Sequence, residues 1–120
     1  MQYLALIHSD VEEWDALSPD AKQAIYAEYG TFAQEGREAG VVVGGSELAA
    51  PGDATTVRVR GADTLVTDGP YAEVKEALGG YFLLECASMD EAVSWAARIP
   101  AASHGAIEVR QVHVEGGEAS

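Results

Sequence analysis

The amino-acid sequence predicts an α+β domain in which two helices cover one face of an antiparallel sheet. Two strand–helix–strand units support this prediction, one in residues 2–45 and one in residues 81–114, each with a capped helix between two apolar runs. Between them, TTVRVR alternates strictly between its two faces, and the short turn GAD leads into TLVTDG, as in a β-hairpin. This βαβ–hairpin–βαβ order is typical of the ferredoxin-like arrangement.

The first unit begins with QYLALIH at 2–8, an apolar run that predicts a strand, and we expect DVEEWDAL after it to form a loop or turn. Ser18 then starts a helix as its N-cap, with Pro19 in the first helical position. The inward stripe of this helix is expected to consist of Ala21, Ile25, Tyr29, Phe32 and Gly36. Gly40 is expected to end the helix before a second strand at 41–45.

The hairpin and the segment after it join the two units. Its strands are predicted at 55–60 and 64–69, where they form a half-exposed antiparallel ribbon. Residues 68–78 are expected to be a long exposed segment that breaks at Gly79-Gly80, before the strand YFLLECA at 81–87.

The second unit continues with a helix and a last strand. Ser88 and Glu91 have the spacing of a capping box, and the helix should end before Pro100. Its inward residues are expected to be Val93, Ala96 and Ala97. AIEVRQVHV at 106–114 predicts the final strand.

Composition restricts the classes of function. The 120 residues suit one domain, predicted over 1–114, with EGGEAS at 115–120 as a disordered tail. The 20 acidic and 7 basic residues give a net charge of −13, which argues against binding to nucleic acids or to an anionic membrane surface. No apolar run approaches the roughly 20 residues of a membrane span. We therefore expect a cytoplasmic protein.

The cysteine and histidines give no recognisable metal motif. Cys86 is the only cysteine and lies in an apolar run, so a buried and inert thiol is expected. The histidines, His8, His104 and His113, do not have the spacing of metal ligands. We expect neither a metal nor a cofactor.

Strand alternation predicts a polar group on the sheet face away from the helices. Ile107 and Val109 suit the helix side, which leaves the open face to three charged residues, Glu85, Glu108 and Arg110. One reading is a structural Glu–Arg pair at the contact of a homodimer, because a second copy would cover this face. The other reading is the polar floor of a ligand cleft.

Two residues are candidates for proton transfer. His104 lies in a loop beside a glycine and titrates near neutral pH. Tyr29 lies within the helical stripe, where a core or interface role is the alternative, because its ordinary pKa of about 10 does not suit an acid or base at neutral pH.

The segment 68–78 carries an unusual density of polar residues. Asp68-Gly69-Pro70 is a turn signature in which Asp68 is expected to bond backbone amides ahead of it. Tyr71, Glu73 and Lys75 are candidate ligand contacts at the rim of a cleft. The structural alternative is a cover over the sheet edge, with Lys75 paired to Glu73 or Glu76.

The phrase VTDGPYAEVKEALGGYFLLECASMDEAVSWAARIP, followed by HGAIEVRQV, resembles the YCII-related family in its DGPF-domain branch. This resemblance covers almost all of 1–114 and implies a ferredoxin-like dimer of the α/β-barrel type. The family includes a dehydrochlorinase of chlorinated hydroxybenzenes, and its enzymatic branch uses a histidine–aspartate pair. At those two positions this sequence has Tyr29 and Glu38. The motif residues that carry over are Asp68, Gly69, Pro70, Tyr71, Glu73, Lys75, His104 and Gly105.

Two hypotheses of function follow from the residues and the resemblance. The first is a small enzyme acting on an aromatic or polar organic compound in a cleft at the dimer interface, with Tyr29 or His104 carrying a proton and Asp68 and Lys75 orienting charge. The second is a ligand-sensing or protein-binding regulatory module, associated with a sigma factor or another regulator. The acidic surface suits a basic protein partner.

Overall fold

The computed structural model describes residues 1–113 and has the α+β organisation that the sequence predicts. Its strands are β1 (Gln2–Asp10), β2 (Val42–Glu47), β3 (Thr55–Arg60), β4 (Asp63–Asp68), β5 (Glu76–Glu85) and β6 (Ala106–Gln111). Its helices are α1 (Val11–Asp15), α2 (Pro19–Glu38) and α3 (Met89–Ala96), and single 3-10 turns occur at Pro51–Asp53 and Pro100–Ser103. The predicted tail at 115–120 and the last residue of the predicted final strand lie outside the described residues.

Four strands form one antiparallel sheet in the order β2–β5–β1–β6. The strands β3 and β4 form a separate two-stranded hairpin with Thr55 opposite Asp68. The strand order is consistent with a ferredoxin-like fold, since the two central strands each come from a different strand–helix–strand unit.

The core lies between one sheet face and the helices. On β1 the alternate residues Tyr3, Ala5 and Ile7 are buried. They join Phe32 of α2 and Ala92 of α3 in one apolar cluster. Ile107 and Val109 pack against the same cluster, as the sequence predicts, so the intervening charged residues of β6 lie on the opposite face.

Helix α2 begins and ends where its capping residues predict. The Oγ of Ser18 accepts a hydrogen bond from the amide of Ala21 at 3.1 Å, and Pro19 is the first helical residue. Gly40 has a φ of 74°, the left-handed conformation that ends helices, and the amide of Val41 reaches back to the carbonyl of Gly36 at 2.8 Å.

The segment after β1 is a short helix, so the prediction of a loop or turn for DVEEWDAL was wrong. Asp10 is the N-cap: its Oδ1 accepts hydrogen bonds from the amides of Glu12 at 2.9 Å and Glu13 at 3.3 Å. Those two acidic residues lie in the first turn, where the positive end of the helix dipole favours them. The helix places Trp14 beside α2.

Strand β5 begins at Glu76, so the exposed segment is shorter than predicted and does not break at Gly79-Gly80. Gly80 pairs with Ile7 on one side and Glu47 on the other, while Gly79 is the extra residue of a bulge against β1. A Cβ on Gly80 would lie 2.9 Å from the carbonyl oxygen of Ser46, which explains the glycine within a paired strand.

Helix α3 has the predicted cap but a different inward face. The Oγ of Ser88 accepts from the amide of Glu91 at 3.2 Å. Ala96 is buried as predicted, whereas Val93 is 51% exposed and Ala97 is exposed. Ala92 takes the inward position, because the stripe runs one residue earlier along the helix.

Candidate functional site

A cavity of about 550 Å³ lies between helices α1 and α2 and the β2–β5 edge of the sheet. Five aromatic residues line it: Trp14, Tyr26, Tyr29, Tyr81 and Phe82. The strand backbones at Gly45 and at Gly79-Gly80 form part of its wall. Two local features shape this cavity. Asp10, the last residue of β1, caps α1, and the glycine-containing strands β2 and β5, whose pairing is interrupted by bulges, bend past α2.

One aromatic pair joins the two helices. The rings of Trp14 and Tyr26 meet edge to face, with centroids 5.3 Å apart. The hydroxyl of Tyr26 donates a hydrogen bond to the Oε2 of Glu47 at 2.9 Å, which ties α2 to the end of β2. This hydrogen bond raises the pKa of Tyr26, and burial and the charge of Glu47 add to the rise.

The second aromatic pair, Tyr29 and Phe82, lies deeper in the cavity. Tyr29 stacks on Phe82 with centroids 6.4 Å apart and an interplanar angle of 21°. Burial raises the pKa of Tyr29; a backbone hydrogen bond at Ala101 opposes this rise in pKa, and the carboxylate of Glu47 adds to it. The phenol therefore keeps its proton at neutral pH and acts as a hydrogen-bond donor rather than as a base.

Gly30 follows Tyr29 in α2 and lines the same cavity. A Cβ built on it would meet nothing within 4 Å. Glycine inside a helix costs about 1 kcal/mol relative to alanine, and no close approach of backbone or side chain requires it here. What its absent side chain provides is open space at the cavity wall.

A second polar cluster lies on the open face of the sheet. Glu108 accepts from the Nε of Arg110 at 2.8 Å and contacts the Nε2 of His8 at 3.2 Å. The Arg110 hydrogen bond first, and the His8 contact second, hold the pKa of Glu108 below its usual range. Glu85, on the same face, lies 3.3 Å from the terminal ammonium of Met1.

Comparisons with known proteins agree on one family. A family model of the YCII-related domain matches residues 1–115. An uncharacterized protein of Rhizobium meliloti (strain 1021) is 34% identical over 112 residues, covering 92% of this chain and 90% of the relative. The chain belongs to the YCII-related family. The resemblance seen in the sequence is confirmed at this level, and assignment to the DGPF-domain branch stays a prediction.

Of the residues predicted from the sequence to form a site, Tyr29 is the one that lines the cavity of this YCII-related protein. His104 is exposed after the 3-10 turn at 100–103, and Asp68 is exposed at the end of β4. Glu38 lies exposed at the end of α2, where its Oε1 accepts from the side-chain amide of Gln34. Neither His104, Asp68 nor Glu38 is among the residues of the cavity wall.

Asp68 does not close its turn in the way that the sequence predicts. Within residues 1–113, no hydrogen bond joins its carboxylate to a backbone amide ahead of it. The turn is closed from β3 instead: the amide of Gly69 donates to the carbonyl of Ala54 at 2.7 Å, and the hydroxyl of Thr56 donates to the carbonyl of Gly69 at 2.9 Å.

Tyr71 and Lys75 each reach a partner elsewhere in the chain. The guanidinium of Arg58 lies 5.2 Å from the ring centroid of Tyr71, a cation–π contact on the hairpin. The Nζ of Lys75 lies 4.0 Å from the Oδ2 of Asp10, so its partner is neither Glu73 nor Glu76. Glu73 is exposed, and neither Tyr71, Glu73 nor Lys75 lines the cavity.

Sequence reasoning missed Trp14, Tyr26, Glu47 and Gly30 in the cavity, and the contact of His8 with Glu108. A signal for Trp14 was present, because Asp10 followed by two glutamates is a helix start. Tyr26 and Glu47 are 21 positions apart, and His8 and Glu108 are 100 positions apart, so local patterns do not reveal these contacts.

Further predictions concern the thiol and membrane insertion. Cys86 is 3% exposed, as predicted, and burial raises the pKa of its thiol. Among residues 1–113, no helix is long and apolar enough to cross a membrane, and no three metal-binding side chains cluster.

Proposed function

We propose that this YCII-related protein binds a small organic compound in the cavity between α1, α2 and the β2–β5 edge. The observation that carries the proposal is the cavity itself, about 550 Å³ in volume and lined by five aromatic residues. Sites for small molecules are concave, mostly apolar and commonly about 300–1,000 Å³. Gly30 supports the proposal, because a glycine inside a helix costs stability and its missing side chain leaves open space at the cavity wall.

In this proposal Tyr29 is the polar group that orients the compound. Its ring packs on Phe82, which fixes the direction of the phenol, and its raised pKa keeps the proton in place. It donates a hydrogen bond to an acceptor atom of the ligand. In a catalysed reaction the same phenol would supply a proton to a developing anion, which is the role left open by the missing histidine of the family's enzymatic pair.

A homodimer completes the proposed assembly. On the open face, Leu4 lies opposite Leu83, and Leu6 lies opposite Tyr81. These apolar side chains alternate with the buried ones of the core, and α2 and α3 cover only the other face. Pairing of two copies on this face would cover them, with the Glu108–Arg110 pair at the contact.

The regulatory alternative is favoured by the hairpin. Val57, Val59 and Val66 lie on one side of this two-stranded ribbon and are 60%, 60% and 64% exposed. An exposed apolar patch of this kind is a feature of protein-binding surfaces. A sigma factor or another regulator would be its partner in this second proposal.

A screen of small organic compounds by ligand-observed NMR tests the main proposal. Hits from the wild-type protein are repeated with Gly30→Leu, which fills open space in the cavity wall, and with Ala27→Leu, which adds a similar side chain to an exposed position of the same helix. We expect Gly30→Leu to abolish binding of the hits and Ala27→Leu to retain it. Hits that bind all three proteins equally would contradict the proposal.

A further inference from the structure

The charges on the cavity wall all have one sign. Glu47 and Asp15 contribute carboxylates, and none of the lining residues is lysine, arginine or histidine. Glu47 is held in place by the hydroxyl of Tyr26 at 2.9 Å. One hydrogen bond leaves most of the acceptor capacity of this carboxylate unused, so it is able to bind a further donor.

The aromatic side chains of the wall add a second attraction for positive charge. The face of an aromatic ring attracts cations within about 6 Å of its centroid, and tryptophan does so most strongly. Trp14 already makes such a contact within the chain, because the Nζ of Lys22 lies 5.7 Å from its ring centroid. Lys22 itself does not line the cavity.

We propose, building on the small-molecule function above, that the ligand is an organic cation: an ammonium group on a small apolar or aromatic body. The ammonium lies beside Glu47, and the body lies among Trp14, Tyr29 and Phe82. This arrangement pairs the buried charge of the ligand and covers its apolar part.

An organic anion of the same size fits the cavity poorly. It would meet two carboxylates, and the only polar hydrogens of the lining aromatic side chains are the hydroxyls of the three tyrosines and the indole N–H of Trp14. The net charge of −13 also opposes the approach of an anion. A neutral compound would fill the apolar space but would make no charge-assisted contact with Glu47.

Calorimetric titration with three probes that share one aromatic body distinguishes these classes. The probes are benzylammonium, which carries N–H donors as well as the charge, benzyl alcohol and benzoate, each titrated into the full chain at physiological ionic strength and neutral pH. We expect the ammonium compound to bind about tenfold more tightly than the alcohol, the factor that a charge-assisted contact supplies, and benzoate to bind most weakly.

Two variants separate a local effect from the overall charge. Glu47→Gln keeps an oxygen that can accept from Tyr26 but removes the negative charge from the cavity. Asp90→Asn removes one charge from an exposed position in the first turn of α3. We expect Glu47→Gln to abolish the preference for ammonium over alcohol and Asp90→Asn to preserve it.

Each contrary result has a distinct meaning. Equal binding of alcohol or benzoate, or equal effects of the two charge variants, overturns the cation inference. The cation inference also fails if the ammonium compound does not bind while screening hits of other chemistry still lose affinity in Gly30→Leu. In that case the proposed function stands. Insensitivity of every binding compound to Gly30→Leu contradicts the proposed function as well.

Discussion

Two glycines of α2, six positions apart, occupy opposite kinds of environment. Gly36 is buried against β2, and a Cβ on it would overlap the Cγ2 of Val42. Gly30 is exposed and has open space around its Cα. The first glycine permits packing of the helix on the sheet, whereas the second leaves room in the cavity. The sequence alone does not distinguish them, because both lie within one uninterrupted helical pattern.

We therefore expect opposite effects on stability from the same substitution. Gly30→Ala should raise the free energy of unfolding by about 1 kcal/mol through helix propensity. Gly36→Ala gains the same propensity but should lower the free energy of unfolding by about 1–3 kcal/mol overall, because the added methyl group forces α2 away from Val42. Urea unfolding of both variants measures the difference, and equal effects would contradict the distinction.

Tyr29 should titrate above the ordinary range of tyrosine. Because burial raises its folded-state pKa, its contribution to stability is fully present below the unfolded pKa of about 10 and is lost as the pH rises through the folded value. Absorbance titration of the phenolate in the wild type and in Tyr29→Phe isolates this group. A Tyr29 contribution that ionises at or below pH 10 would disagree with a buried phenol.

At the scale of elements, the sequence predicts those whose signals are local. The caps of α2 and α3, the alternation of β3 and the helix-facing side of β6 follow from residues close together in the chain. The start of β5 does not, because Glu76 becomes part of a strand by pairing with Asp10. The cavity was missed for the same reason: α1 was expected to be a loop, and Tyr26 meets Glu47 only after β2 is paired.

Asp10 connects three elements, and its removal should affect the cavity. It caps α1, ends β1 and lies 4.0 Å from Lys75. Asp10→Ala should lower the free energy of unfolding by about 1–2 kcal/mol, the usual cost of a lost cap, and should loosen the position of Trp14. Asp10→Asn retains a capping oxygen and should cost less.

Thermal or denaturant unfolding of the two variants, read by circular dichroism, tests this role. The amide variant is the control, because it removes the negative charge while keeping the hydrogen bonds to Glu12 and Glu13 available. An equal loss in the two variants would mean that the contact with Lys75, which both remove, and not the cap, stabilises this corner.

At the scale of the whole molecule, the polar clusters and the cavity lie on opposite faces of one sheet. Tyr29 and Phe82 belong to the helix side, and Glu108 and Arg110 belong to the open side. The proposed ligand site and the proposed dimer contact are therefore separate surfaces. A substitution on the open face should change assembly without entering the cavity.

Leu83→Glu tests this separation, because it adds a charge on a central strand of the open face, opposite Leu4. Sedimentation equilibrium at micromolar concentration should give twice the chain mass for the wild type and the single chain mass for the variant, since a buried unpaired charge opposes pairing. Tyr71→Ala, in the segment that follows the hairpin, is a comparison at an exposed position. A monomeric wild-type protein would contradict the homodimer.

The location of the bound ligand decides whether the cavity between α1, α2 and the β2–β5 edge is the binding site. Amide and indole resonances of the isotope-labelled protein are recorded during titration with a screening hit. The cavity site predicts that the largest shifts occur at the indole of Trp14 and at the amides of Gly30, Gly45 and Gly80, all of which line it. Shifts concentrated on the open face at His8 and Glu108, or in the segment 69–75, would contradict it.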